Sequence, residues 1–331
     1  MPTRLRVPFL LVFFPCIALI PAACQAQTPS ASPATATAQP LMPTLEASST
    51  LSALTPVGTD LSQDVDVGGD DAGARTLATC TTSVAASVPE FYHRYFRCVT
   101  ITRAAAGVTI TTQALPPHLS YYYGAGSPNY TTFDTSRGPQ YRPNPNRLAA
   151  QAISITIPDF PSPTGVAITP NLIDVQAGTS SAEYGLGPIG IAVDSVPLFA
   201  GTAAVGHDLA EERFTFDGYE GHPDDVRGTY HYHGPTPGPL EVLRAAGVVT
   251  TTVPGAAEVE LYGILRDGTV VLGCTELDSS APAGLDAQGG HIGDLRATDG
   301  TMFFTGRYHT HVCADAARGH LYTPEIQYYV P

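Results

Sequence analysis

Gly190-Ile-Ala-Val-Asp194-Ser-Val-Pro-Leu-Phe199 and Gly263-Ile-Leu-Arg-Asp267-Gly-Thr-Val-Val-Leu272 are two stretches of one chain that read alike. Each opens on glycine, runs through short apolar residues, breaks at an Asp-centred turn and resumes as a second apolar run. That is strand, turn, strand. Moving outward, Gly221-His222 follows the first stretch and Gly290-His291 follows the second. Each then closes on Gly-x-Tyr-His-x-His, as Gly228-Thr-Tyr-His231-Tyr-His233 and as Gly306-Arg-Tyr-His309-Thr-His311. The second series has nine more residues between its Gly-His and its His-x-His, assigned to a hairpin around Asp299-Gly300. The pattern predicts an internal repeat. Two copies related by a local two-fold are expected to bring their equivalent elements together at the shared axis.

Alternate side chains of a strand point to one face, so His231 and His233 project together, as do His309 and His311. Two imidazoles on one strand are half a metal site. A second such strand across the axis would complete four nitrogen ligands, a set that suits Cu(II) and also accepts zinc. His222 and His291, at equivalent upstream positions, are further candidate ligands or groups that orient the ligands. Six of the ten histidines fall in this pattern. His93, His118, His207 and His320 share no spacing and are expected on the surface or in loops. Tyr230, Tyr232 and Tyr308 are expected to pack behind the site. Copper held by imidazoles cycles between two oxidation states, which suits superoxide as a small-anion substrate. In a chain of net charge −14 such an anion needs a local cation, and Arg307 and Arg227 are the candidates. Asp294, near His291, is a candidate zinc ligand.

The rest of the chain sets the context. Arg4 and Arg6 precede an apolar run from Val7 to Ala23, which reads as a secretory signal over residues 1–26. Ordinary cleavage after Ala26 competes with lipidation at Cys24, so the protein is expected to be exported to the cell envelope or surface. Residues 27–74, rich in Thr, Ser, Ala and Pro, read as a flexible tether. No other run is long enough to span a bilayer, and the acidic surface disfavours nucleic acid. The chain has no lysine, which excludes Schiff-base chemistry and the P-loop lysine. There is no Gly-x-Ser-x-Gly, no His-Glu-x-x-His and no dinucleotide glycine fingerprint. Cys80, Cys98, Cys274 and Cys313 outlast processing, and short separations favour the pairs Cys80–Cys98 and Cys274–Cys313.

Helix signals are confined to Leu240–Ala246, between Pro239 and Gly247. Elsewhere β-branched runs such as Gly107–Thr112 and Ala152–Ile157 alternate with Gly, Pro and Asp. The fold class read from this is all-β, a sandwich or barrel-like fold with long loops and an internal two-fold repeat carrying the His-x-His strands. The loop His118–Asn146 carries Tyr121-Tyr-Tyr123, which either lines a binding surface or packs the loop onto the body. Residues 75–180 form an N-terminal β segment that is either a separate domain or part of the same sandwich.

Gly190–Phe199, Gly221-His222 and Tyr230-His231-Tyr232-His233, taken in that order, resemble the YHYH-domain family of exported bacterial proteins. The likeness covers roughly Gly185 to Val312 and makes residues 181–331 a YHYH-like metal-binding domain. The second series departs from the family, with Thr310 in place of a tyrosine and Thr269-Val270 in place of Phe-Pro. A more local likeness concerns His291-Ile-Gly-Asp294-Leu295 with Thr298-Asp-Gly-Thr301, and Tyr308-His309-Thr-His311-Val-Cys313. These are similar to the zinc-loop and copper-strand segments of copper–zinc superoxide dismutases, in reversed order. The resemblance implies a copper-dependent superoxide dismutase. The competing expectation is a non-catalytic envelope module with a structural or scavenging copper or zinc site, docking onto other envelope or surface-layer proteins.

Overall fold

The structure, a computed structural model, describes residues 74–163, 187–201, 203, 209–286 and 288–313. The signal segment with Cys24, the tether up to residue 73, His207 and His320 lie outside the described residues. The chain forms β1 (Ser83–Val84), α1 (Glu90–Tyr95), β2 (Thr100–Ala104), β3 (Gly107–Thr112), β4 (Ile153–Pro158), β5 (Pro188–Ala192) and β6 (Pro197–Phe199). It continues through α2 (Leu209–Glu212), β7 (Gly221–Pro223), β8 (Tyr230–Tyr232), α3 (Pro237–Ala245), β9 (Leu261–Leu265), β10 (Val270–Leu272), β11 (Gly290–Arg296) and β12 (Met302–His311). The expected all-β class is observed, with strands in two sheets. Helix α3 carries the expected Leu240–Ala246 turn and begins at the cap Thr236, whose side chain accepts from the Gly238 amide. The short helix α1 had no periodic signal. Its Phe91, Tyr92 and Tyr95 are buried in a cluster of rings with Phe96, Phe303 and Phe304.

One sheet has four strands in the order β1-β2-β3-β4, and the other has eight in the order β11-β12-β10-β9-β5-β6-β8-β7. Both contribute to one hydrophobic core, in which Ile101, Ile110 and Ile157 of the small sheet join Ile191, Leu198, Ile264 and Val270 of the large one. Backbone ties reinforce the packing, since the Arg97 amide donates to Val193 and the Thr112 hydroxyl donates to the Ser195 carbonyl. The N-terminal β segment therefore shares its core with the strands that carry the histidines. Both expected disulfides, Cys80–Cys98 and Cys274–Cys313, are present. Each is expected to stabilise by about 3–4 kcal/mol through the loop it closes. Among the described residues no helix is long and apolar enough to cross a membrane.

The eight-strand order fixes where the chemistry sits. At its centre β5 pairs antiparallel with β9, matching Gly190 with Leu265, Ile191 with Ile264 and Ala192 with Gly263. Gly190 and Gly263 permit this approach, because a Cβ on either would lie within 2.4 Å of the carbonyl oxygen of Ile264 or Ile191. Outward from this centre the registers correspond. Leu198 pairs in parallel with Tyr232 as Val271 pairs with Thr310, and His222 faces His231 as His291 faces His309. The strands at the centre are thus β5 and β9. The two His-x-His strands are five strand steps apart, roughly 24 Å of sheet.

The Asp-centred turns differ in one respect that bears on stability. Ser195 has φ 84°, and Gly268 stands at the matching position with φ 91°. Ser195 is also fully buried with no partner for its hydroxyl among the described residues. Ser195→Gly relieves both the left-handed strain and the unpaired hydroxyl, and is expected to raise the unfolding free energy by about 1 kcal/mol. Urea unfolding checks this; a midpoint at or below that of the parent would mean that packing of the serine side chain outweighs the strain.

Candidate metal centres

The four-nitrogen site expected across a shared axis is not what the strand order builds. Each His-x-His strand instead pairs with its own Gly-His strand, and two separate groups of three histidines result. The reason is local. A parallel partner (β6 or β10) covers one edge of the His-x-His strand, so the Gly-His hairpin strand takes the other.

In the first group, His222, His231 and His233 are all buried. His222 Nε2 lies 3.1 Å from His231 Nε2, which lies 3.0 Å from His233 Nε2. The opposite ring nitrogens fix the tautomers. His231 Nδ1 is 2.8 Å from the Thr229 carbonyl and His233 Nδ1 is 2.7 Å from the Ala200 carbonyl. A carbonyl only accepts, so each Nδ1 carries the hydrogen. The Thr215 hydroxyl donates to the Glu212 carbonyl and therefore accepts from His222 Nδ1 at 2.7 Å. All three Nε2 atoms then present lone pairs to one another. Burial makes protonation costly, pushing His231 down to about 4, His233 to about 3 and His222 well below its usual range, with the neighbouring imidazoles lowering the last two further. Converging lone pairs at this distance are repulsive unless a cation lies among them. Nitrogens at 2.0–2.1 Å from a tetrahedral metal are about 3.3 Å apart, so the donors fit such an ion with small adjustment.

Aromatic rings wall this group. Phe199 stacks on His231 with centroids 3.9 Å apart, and Phe216 lies parallel to His233 and edge-on to His222. The histidines open onto a cleft of about 1120 Å³, whose lining includes Arg142, Arg227, Arg266, Glu211, Glu212 and Asp224. The triple tyrosine serves packing. Tyr121 and Tyr122 are buried, and both donate to the carbonyl of Thr215, the residue that orients His222.

In the second group, His291, His309 and His311 surround Glu276. Glu276 Oε1 is 2.9 Å from His291 Nε2 and 3.3 Å from His311 Nε2, and Oε2 is 3.1 Å from His309 Nε2. His309 Nδ1 lies 2.9 Å from the Arg307 carbonyl and His311 Nδ1 lies 3.0 Å from the Gly273 carbonyl. These match the contacts of His231 and His233 in the first group. Burial pushes the Glu276 carboxyl up, but the bonds from His309 and His311 outweigh it and hold the group well below the usual range. Glu276 belongs to neither repeated motif, and no spacing in the sequence marked it.

The tyrosines of both motifs lie on the opposite face, as expected, and each has a buried or half-buried carboxylate. Tyr230 donates to Asp217, Tyr308 to Asp286 and Tyr232 to Asp194, all at 2.8–2.9 Å. The Gly-His dipeptides follow from this. A Cβ on Gly221 would lie 2.5 Å from the Tyr230 ring, and one on Gly290 would lie 2.2 Å from the Tyr308 hydroxyl.

Two expectations require correction, those for Arg307 and Asp294. The Arg307 guanidinium is buried and donates to the carbonyls of Gly268 and Asp159, so it ties the two sheets together instead of facing an incoming anion. Arg227, by contrast, is exposed and lines the histidine cleft. Asp294 is outside the second group, because its carboxylate accepts from the Gly306 amide in the β11–β12 hairpin. His118 lies in a loop, one of the two expected placements, but is buried there, 3.0 Å from the Tyr232 hydroxyl and stacked on Tyr219.

Comparison of the chain with protein-family models, with curated proteins and with solved structures finds no match. The reading of the site therefore rests on its geometry.

Thr215→Val removes the acceptor that fixes the His222 tautomer. It is expected to weaken metal binding at the first group by 10–100-fold, while Thr215→Ser retains it. Competition against a chromophoric chelator measures this, and unchanged affinity in the valine variant would show that the hydroxyl does not set the tautomer.

Proposed function

We propose that this is an exported metalloprotein whose centre of His222, His231 and His233 holds copper and acts on a small anion, with superoxide the leading substrate. The observation that carries the reading is the convergence of three Nε2 lone pairs whose tautomers are fixed from behind, at the floor of an open cleft. Three ligands with access from one side leave a coordination position for substrate, the arrangement of catalytic rather than structural sites. Neutral imidazoles suit both oxidation states of copper. When bound, copper supplies a one-electron couple. One superoxide is oxidised to dioxygen, and a second, reduced with the uptake of two protons, becomes hydrogen peroxide.

The residues of the chain have distinct tasks in this scheme. His231 and His233 are held by backbone carbonyls, and His222 is held by Thr215. Phe199 and Phe216 keep bulk water from two sides, which strengthens electrostatic interactions at the centre. Arg227 supplies positive charge at the cleft in an otherwise acidic protein. The two disulfides and the basic-then-apolar start of the chain support export to an oxidising compartment. The order of Gly-His and Tyr-His-Tyr-His supports kinship with the YHYH-domain family. The corresponding registers of β5–β8 and β9–β12 support descent from a duplicated four-strand unit. A non-catalytic role is favoured at the second group, where Glu276 occupies the fourth position.

The test is metal content of protein purified from its own envelope, paired with a superoxide assay on single variants. Stoichiometric copper is expected, with dismutation falling to the uncatalysed background in His231→Ala and retained in His309→Ala. Copper without dismutation would favour scavenging, and loss of activity only in His309→Ala would place the chemistry at the other group.

A further inference from the structure

We propose that Glu276, His291, His309 and His311 form a second, independent metal centre, closed by four protein ligands and filled by a divalent ion of the zinc class. The donors come from three segments, namely β11, β12 and the loop after Cys274. The Nε2 atoms of His291 and His311 are buried without a hydrogen-bond partner among the described residues, although carboxylate oxygens lie 2.9 and 3.3 Å away. Close donors that are not aligned for hydrogen bonding are the geometry of ligands around a common ion. For His309 and His311 the conflict is sharper, since each Nδ1 hydrogen is already given to a carbonyl. With neutral rings their Nε2 lone pairs face carboxylate lone pairs, a repulsion that either a metal ion among them or a second proton on the ring relieves.

The size and charge of the site select the ion. Glu276 Oε1 lies 2.9 and 3.3 Å from His291 and His311 Nε2, close to the edge of about 3.3 Å of a tetrahedron with bonds of 2.0–2.2 Å, and all four ligand atoms lie within 4.8 Å of one another. Three neutral imidazoles and one carboxylate leave a divalent ion with a single positive charge. The large cleft is lined by the histidines of the other group.

One position bears on the difference between the two groups. The offset that aligns Gly190 with Gly263 and Ala200 with Gly273 aligns Ala203 with Glu276. Ala203 is buried beside Leu209 and Phe216. The carboxylate that closes one group thus aligns in sequence with an alanine packed on Phe216, the ring that lies against His222 and His233. Its surroundings suggest what the closed centre does. Cys274 stands two residues before Glu276, and Cys313 stands two after His311, so disulfide and metal fasten the same segments. The proposed ion holds β11 and β12 to the β10 loop, and its role is to secure the end of the sheet.

The experiment is zinc and cobalt binding by the His231→Ala protein, which lacks the cleft centre and so isolates this one. One equivalent of zinc is expected to remain through dialysis, with cobalt giving the intense visible bands of tetrahedral coordination. Adding Glu276→Ala, or Glu276→Gln should the alanine variant fail to fold, is expected to abolish those bands. Chelation is expected to lower Tm by several degrees in His231→Ala and to leave the double variant unchanged. Absence of a retained equivalent in His231→Ala, weak octahedral bands, or bands that survive loss of Glu276 would each overturn the proposal. Copper and dismutation assays on the parent chain report on the cleft centre separately, so failure of one reading leaves the other standing.

Discussion

The arrangement depends on the protein taking the Nδ1 hydrogens of its clustered histidines. His231, His233, His309 and His311 each give that hydrogen to a backbone carbonyl, and His222 gives it to a threonine hydroxyl. Once that is done, the Nε2 lone pairs have nowhere to point but at one another or at Glu276. The cost is electrostatic repulsion inside a low-dielectric core, and the sheet must be rigid enough to bear it. The carbonyl acceptors are rigid because they belong to the same strands and turns. Thr229 and Arg307 lie two residues before the first histidine of each strand, while Ala200 and Gly273 immediately follow the parallel neighbours β6 and β10. Ligand orientation is therefore a by-product of sheet register.

The opposite face of the same strands works in the complementary sense. Alternation sends Tyr230, Tyr232 and Tyr308 away from the histidines and onto Asp217, Asp194 and Asp286. Burial pushes Asp194 up to about 7 against the pull of the Tyr232 hydroxyl, so this carboxylate is held there at some expense. Its return is positional. A tyrosine anchored at its hydroxyl cannot slide, and the histidines on either side are pinned with it. Gly221 and Gly290 belong to this layer too, since each leaves the space its tyrosine fills. The recurring Gly-His and Tyr-His pieces are thus one packing unit seen as two sequence fragments.

The sequence revealed some of this directly and could not reveal the rest. The alternation in His231-Tyr232-His233 places ligands and tyrosines on opposite faces without knowledge of partners, and short cysteine separations suffice for the disulfides. Strand order was not legible. Nothing in Gly190–Phe199 or Gly263–Leu272 says that β5 and β9 meet at the centre, and the glycines that permit it look like ordinary turn residues. A single shared site was the natural consequence of imagining the His-x-His strands at the axis. Glu276 was invisible for a similar reason, since it lies in a loop whose counterpart carries alanine. Arg307 misled because adjacency to His309 in sequence says nothing about what its long side chain reaches. His118 lies in a loop but is buried, since isolation in sequence does not mean exposure.

What remains is why two nearly equivalent half-sheets hold such different groups. The ligand strands, their carbonyl locks and their tyrosine anchors correspond in both. The differences gather around the histidines instead. Phe199 stacks on His231 where Leu272 stands in the other half, Phe216 lies against His233, and Ala203 corresponds to Glu276. Aromatic walls without a carboxylate leave three neutral donors at a cleft, and any bound ion there keeps its full charge toward solvent. A carboxylate, with no aromatic wall among the described residues, would neutralise part of that charge and take the remaining position. On the proposed reading, reactivity and closure are set by residues outside the repeated motif, which need only supply three histidines in the right tautomer. On this view the motif specifies that a metal is held, and its surroundings specify what the metal can do.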